Sequence, residues 1–368
     1  MRKRAFSIIF ALIISSVIMT IGPILFSVAM NSGESHGKIS TLNTSASTEI
    51  STTVIIDDLP GSPTNWTWAK DQGYCTGLGT QSNPYIIADK FFNTSSTTWN
   101  CLSIIHSRAH FIVKDCEFKG HSQFAGIQLF NTTNGVITEN MMHPLTGALV
   151  WLSNASYNVI QNNNASGGYF SGVVIEGATE GPGGSTRMNT VTDNLITHNG
   201  DAGIKFVNWF VTHNVVSDNF IFNNTVGIEM YTSANNNTIT GNQIGNSSST
   251  GLIISNVCQY NEIYENCFFT NGLHAIDYGL NNSWDDGARG NYWDNYTGLD
   301  TDNDGIGDVP YNISGFGGAQ DNFPLMSCPT PTSSPPEVPG YDVFLLLFAG
   351  VASIIGIIFV ISKKKIKN

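Results

Sequence analysis

The sequence predicts an all-β protein: a right-handed parallel β-helix of about eight coils, with an N-terminal signal segment before it and a C-terminal transmembrane helix after it. Three observations predict this. The 368 residues include 39 Asn and 37 Gly, and both are poor helix formers. A short pattern recurs between residues 126 and 278 with a period in the low twenties, the length range of solenoid repeats. Long apolar runs occupy the two ends of the chain.

The ends come first. Arg2, Lys3 and Arg4 precede an apolar stretch, and Ser27-Val28-Ala29 supplies small residues for cleavage, so residues 1–29 read as a signal peptide. Val343 to Ile361 is uncharged and about 28 Å long as a helix, close to the thickness of a bilayer core. Lys363, Lys364, Lys365 and Lys367 follow it, and they belong in the cytoplasm by the positive-inside rule. Residues 343–368 are therefore expected to form a single C-terminal anchor, with everything between the two ends on the extracellular face of the membrane. Residues 328–342, rich in Pro, Thr and Ser, form a stiff spacer. Residues 30–74 are left as an N-terminal segment and linker, 75–296 as the β-helix and 297–327 as a C-terminal segment.

Without its termini the body carries 9 Lys and Arg against 27 Asp and Glu, a net charge of −18. That excludes nucleic acid as a natural partner and favours cations. Twelve Asn-x-Ser/Thr sequons agree with an exterior location. So do six cysteines with no CxxC pair among them; their connectivity stays open, with Cys75–Cys101 the one pairing put forward.

The repeat begins with a small residue followed by an apolar residue, a variable one and a second apolar one, at Gly126, Ala148, Gly172, Gly203, Gly227, Gly251 and Ala275, with spacings of 22, 24, 31, 24, 24 and 24. The surplus of the long unit falls at Glu180-Gly-Pro-Gly-Gly-Ser, a loop by composition. A β-branched residue and an Asn three positions later form a second signal: Ile137/Asn140, Ile160/Asn163, Val191/Asn194, Val216/Asn219, Ile239/Asn242 and Ile263/Asn266. Each unit reads as three short strands that can be buried only by stacking on its neighbours. The apolar members should form one interior column. The Asn residues should form a ladder at a tight bend, since Asn tolerates the left-handed conformation and stacked amides can bond from coil to coil.

The Asn-x-Ile-x-x-Asn and Gly-Ile-x-apolar pattern resembles the repeats of NosD-like and pectate-lyase-like β-helix proteins. Gly77-Leu-Gly-Thr-Gln-Ser-Asn-Pro-Tyr-Ile-Ile and Gly290-Asn-Tyr-Trp-Asp-Asn-Tyr resemble the two ends of archaeal NosD-like surface proteins. Pro339-Gly340-Tyr341 before the apolar run is similar to archaeal sorting signals of the Pro-Gly-Phe kind, with Tyr in place of Phe. The resemblance implies the fold and leaves the activity open, because β-helices host lyases, hydrolases, epimerases and structural proteins.

Several constellations could carry chemistry. Asp300, Asp302, Asp304 and Asp308, with the Ile306 carbonyl, have the spacing of a calcium loop with Gly305 at its turn. They are similar to EF-hand-like and thrombospondin type 3 loops. Tyr311 stands where the closing bidentate acid would be, so structural Ca2+ of modest affinity is expected. Glu139, Asp193, Asp218 and Glu265 precede bend Asn residues and could form a carboxylate column, which Asn162 and Gly241 interrupt. Tyr169, Phe170, Trp209 and Phe210 could form a platform for sugar rings. Two residues after each repeat start, Gln128, Val150, Val174, Lys205, Glu229, Ile253 and Asp277 are expected to face outward. Met141-Met142-His143 is the one Met/His cluster and no His-x-His occurs, which argues against a NosD-type copper role.

Lys205 and Arg187 are the only Lys or Arg between Lys119 and Arg289, so a cationic base for lyase chemistry is scarce. The sequence therefore favours a surface-anchored protein that binds glycans or envelope proteins, or builds the envelope, over a polysaccharide lyase, hydrolase or epimerase. It assigns no catalytic residue and no oligomeric state.

Overall fold

The computed structural model describes residues 48–95, 99–144, 146–177, 184–316 and 318–329. The expected signal peptide and C-terminal helix lie outside these residues. Among the described residues no helix is long and apolar enough to cross a membrane.

The described chain winds into a right-handed parallel β-solenoid of about eight coils with three faces. A long sheet of ten strands runs from Val54–Asp57 to Ser314–Gly315, and a second sheet of eight runs from Tyr85–Ala88 to Glu262–Tyr264. The third face has a four-stranded part ending at Met141–Met142 and a five-stranded part beginning at Leu195–Thr197, with Asn164 bridging to both. Strand pairing is parallel in all of these sheets; among the described residues only Tyr311–Asn312 and Gln320–Asp321 pair antiparallel as strands. The stack starts earlier than residue 75, because Thr48–Ile50 pairs with Lys90–Phe92 and Val54–Asp57 with Leu102–Ile105.

Alternation builds the core. In Val215-Val216-Ser217 only the middle residue turns inward, as a two-residue period requires. Ile137, Ile160, Val191, Val216, Ile239 and Ile263 pair in direct register and are all fully buried, as the period of the repeat anticipates.

The repeat starts need one correction. Leu149, not Ala148, is level with Gly126 and Gly172, and His274, not Ala275, is level with Gly251. A one-residue slip exchanges faces. Hence Val150 and Asp277 point inward and are buried, while Trp151 and Ile276 take the outward places. Glycine recurs at this position because the next coil comes close: a Cβ on Gly227 would lie 2.3 Å from the Gly251 carbonyl oxygen.

Both ends are closed by aromatic groups. The helix Trp66–Asp71 is capped by the Asn65 side chain, and Trp66 stacks on Tyr85 with centroids 4.4 Å apart. At the other end Phe268, Trp293 and Tyr311 stack in turn at 4.5 and 4.2 Å. Cys267 and Cys328 form a disulfide that ties the last described residues to the final coils. Cys75 and Cys101 are not paired; both thiols are buried, and burial raises each to about 11.

Candidate functional site

The corners of the coil organise every candidate group. At each bend between the second sheet and the third face one residue takes the left-handed conformation: Glu139, Asn162, Asp193, Asp218, Gly241 and Glu265, each the residue before an Asn, and Asp115, before Cys116, all have φ between 52° and 68°. The ladder Asn residues are not left-handed. They turn inward, where the backbone and side-chain N–H groups of each donate to the Oδ1 of the next. Asn140, Asn163, Asn194, Asn219, Asn242 and Asn266 connect in this way and continue to Asn291.

Asp321 ends this ladder. Its Oδ2 accepts from Asn291 N–H at 2.7 Å and Trp293 Nε1–H at 2.8 Å, and its Oδ1 accepts from Phe323 N–H. Burial pushes its pKa up to about 6 against the pull of those donors.

Two more ladders occupy the other corners. Asn158, Asn189, Asn214, Asn237, Asn261 and Asn282 form one. Asn199 and Asn224 begin the other, and Ser247 donates from its backbone to Asn271 Oδ1 further along. The first Asn of the Asn-x-Ile-x-x-Asn pattern is the sequence signal for the second ladder.

The corner carboxylates are thus the left-handed residues that point away from the core. Asp193 accepts from Thr192 Oγ1, Glu265 pairs with Arg289 at 2.8 Å, and Asp115 pairs with Lys114 at 2.9 Å. Glu139 is exposed. On the long sheet Lys205 lies 2.7 Å from Asp201 and 2.8 Å from Glu229. Burial opposes its charge, but the hydrogen bonds it donates to both carboxylates outweigh that and hold the ammonium above its ordinary range.

The aromatic candidates are exposed but stand apart. Tyr169 and Phe170 meet edge to face, 5.1 Å apart, before the strand Val173–Glu176. Trp209 and Phe210 follow the strand Ala202–Val207 in the adjoining coil. A six-residue strand separates the two ends by roughly 20 Å, so the pairs form two edges of one sheet. Met142 is buried, and His143 Nε2 lies 2.8 Å from Glu117 Oε2, which occupies the Met/His cluster in packing.

Asp300, Asp302 and Asp304 converge, with one oxygen of each within 4.8 Å of the others. Gly305 turns the loop at φ +89°. Three converging carboxylates fit a hard cation that takes oxygen ligands. Asp308 is not part of this converging group, and its Oδ2 accepts from the Thr301 backbone at 2.9 Å. Tyr311, at the closing position, stacks on Trp293 instead. A bound calcium ion would thus rest on the first three acids and clip the loop, while the Ile306 region pairs with Leu325.

One surface was not anticipated. Where the third ladder turns, His198, Asn223, Asn246 and Thr270 occupy the left-handed position in four successive coils. They line a shallow groove of about 690 Å³ together with Thr225 and Ser248. The Asn223 amide lies 3.1 Å from His198 Nε2, and Asn246 Nδ2 donates to Asn223 Oδ1. Near its end, His274 is buried with Nε2 2.8 Å from Asp294; burial lowers its pKa, and Asp294 partly offsets this.

Residues 78–244 match the family model described as the right handed beta helix region. No curated protein matches the chain. Among solved structures, the chain is similar to the periplasmic alginate epimerase AlgG at 16% identity and a TM-score of 0.41, covering 52% of this chain and 47% of that one. The A-module of an Azotobacter vinelandii mannuronan C-5 epimerase shows 12% identity and a TM-score of 0.37, with 50% and 62% covered. A pectate lyase shows 12% identity and a TM-score of 0.31, with 64% and 81% covered. The chain spans about half the length of the alginate epimerase structures it resembles.

Proposed function

We propose that this chain is an extracellular β-helix, held at the membrane by its C-terminal segment, that binds glycans or neighbouring envelope proteins through its coil surface. Structural calcium at Asp300, Asp302 and Asp304 is part of this reading. The observation that carries it is the state of the outward cations. Lys114, Lys205 and Arg289 are each engaged by a carboxylate, and Lys205 is held in its charged form. General-base work needs a group that gives up its proton near the working pH, and a lysine clamped by two acids does the opposite. The test is a panel of neutral and acidic glycans offered to the purified protein, with and without calcium. Binding without turnover is expected; depolymerised or epimerised product would replace this reading.

The polysaccharide-active reading rests on one specific arrangement, the Asp201–Lys205–Glu229 group on the long sheet. If a glycan is processed and either Lys205→Ala or Glu229→Gln abolishes the reaction, that group is the centre. On the binding reading both substitutions leave folding and glycan binding almost unchanged, since a partly exposed ion pair contributes little.

A further inference from the structure

We infer that the groove at the third corner is a binding strip for a neutral, extended sugar chain lying along the solenoid axis. This deepens the glycan-binding reading and rests on it. His198, Asn223, Asn246 and Thr270 repeat once per coil, and coils are about 4.8 Å apart. A ligand read by such a row must itself be periodic, offering one set of polar groups per coil.

The chemistry of the row selects the ligand. Its lining consists of amides, hydroxyls, glycine and one imidazole, with no Asp, Glu, Lys or Arg. In a body this acidic, an uncharged strip is distinctive. A polyanionic chain would find no Lys or Arg there: Lys205 is engaged by Asp201 and Glu229, and beside the row the carboxylate of Asp294 accepts from Thr270 N–H at 2.6 Å. Amides and hydroxyls both donate and accept, as sugar hydroxyls require.

The row is also set in advance. Asn223 is held between His198 and Asn246, so little side-chain freedom is lost on binding. Phe222 and Phe269 immediately precede Asn223 and Thr270, and their rings stack 5.9 Å apart. They meet across Gly245, where a Cβ would come within 2.3 Å of the Phe269 ring. The result is a half-buried apolar flank beside a polar row, a pairing suited to the two faces of a sugar ring.

Asn223 and Asn246 each begin a sequon, so the protein for the test is made without N-glycosylation. Cellohexaose, xylohexaose and mannohexaose are the neutral probes, hexagalacturonate the acidic one, titrated calorimetrically. At least one neutral hexaose should bind. Asn223→Gly and Asn246→Gly, which keep the left-handed backbone, should each weaken it at least tenfold. Thr225→Arg, which fills the strip from an exposed strand edge, should do the same and covers the case in which a glycine variant folds poorly. Neutral binding that all three variants retain within twofold overturns the strip and leaves the broader reading standing. Preference for hexagalacturonate overturns the neutral assignment. No binding of any probe overturns the strip and the glycan-binding reading together.

Discussion

The first and third corner ladders are built from the same parts, but the third is shorter and is interrupted at one rung. Along the first, seven Asn residues from Asn140 to Asn291 connect without a gap, and Asp321 closes the end. Along the third, Asn224 is followed by Ser247, whose hydroxyl is buried without a partner. The Asn224 side chain keeps its bond to the Ile196 carbonyl, but the short serine cannot return an amide oxygen. A ladder of this kind is a sequence of mutually satisfied buried amides, and a rung of the wrong length leaves its neighbours underused. The open groove lies at the interrupted corner.

The comparison breaks most readily in the middle of the intact ladder. Asn219 accepts from both N–H groups of Asn194 and donates to Val191, Ser217 and Asn242. Asn219→Ala leaves the buried Asn194 N–H and two carbonyls short of a partner, and should cost about 2–4 kcal/mol. Denaturant unfolding measures it; a loss below about 1 kcal/mol would mean that the ladder adds little.

The ladder's end should be sensitive to pH. Because the pKa of Asp321 is raised from 3.8 to about 6 by burial, the folded state binds its proton more tightly than the unfolded chain does. Its contribution is fully present below pH 3.8 and is lost as pH rises through 6, up to about 3 kcal/mol. Melting temperatures between pH 4 and 7 should therefore fall less in Asp321→Asn than in the wild type. Parallel curves would show that the carboxylate is not protonated in this window.

Repairing the broken rung should have a smaller effect of the opposite sign. Ser247→Asn supplies the missing oxygen and amide, and a gain of about 1–2 kcal/mol is expected. An unchanged melting temperature would show that the third corner tolerates the gap at no cost.

Calcium is the smallest effect. With three acids and no closing bidentate ligand, affinity should be modest, and a tenfold excess over Kd adds about 1.4 kcal/mol. The melting temperature should rise with calcium in the wild type and much less in Asp302→Ala. No rise in the wild type would leave Asp300–Asp308 as a solvated turn.

The interior column was legible in the sequence because burial leaves a strict period, and Val216 or Ile239 cannot move one place without facing water. Small residues were poorer guides. Ala148 pairs with Ala125 in the column beside the glycines, and Ala275 fills an inward place level with Leu252. Two adjacent columns accept small side chains for different reasons, so size alone does not fix the register. The bend was found, but the division of labour within it was not: Asn was expected to take the left-handed backbone, whereas Asp218 takes it and Asn219 forms the rung. The ladder role of Asp321 left no signal, since it depends on a pairing 30 residues further along the chain from Asn291. Nor did the groove, because His198, Asn223, Asn246 and Thr270 share a backbone conformation and not a residue type.

Each sharp corner asks for three things in a row: a residue at ease in the left-handed region, an inward amide, and a strand-edge residue that faces water. Spelled in amino acids, that order gives Asn223-Asn224-Thr225, Asn236-Asn237-Thr238 and Asn281-Asn282-Ser283. Each of these is also an Asn-x-Ser/Thr sequon. Backbone geometry alone is thus enough to write the acceptor signal for a sugar transferase. The sequons at Asn93, Asn295 and Asn312 lie off these left-handed corners and owe nothing to that rule. In a chain folded this way, the number of sequons measures the number of corners as much as the number of glycans.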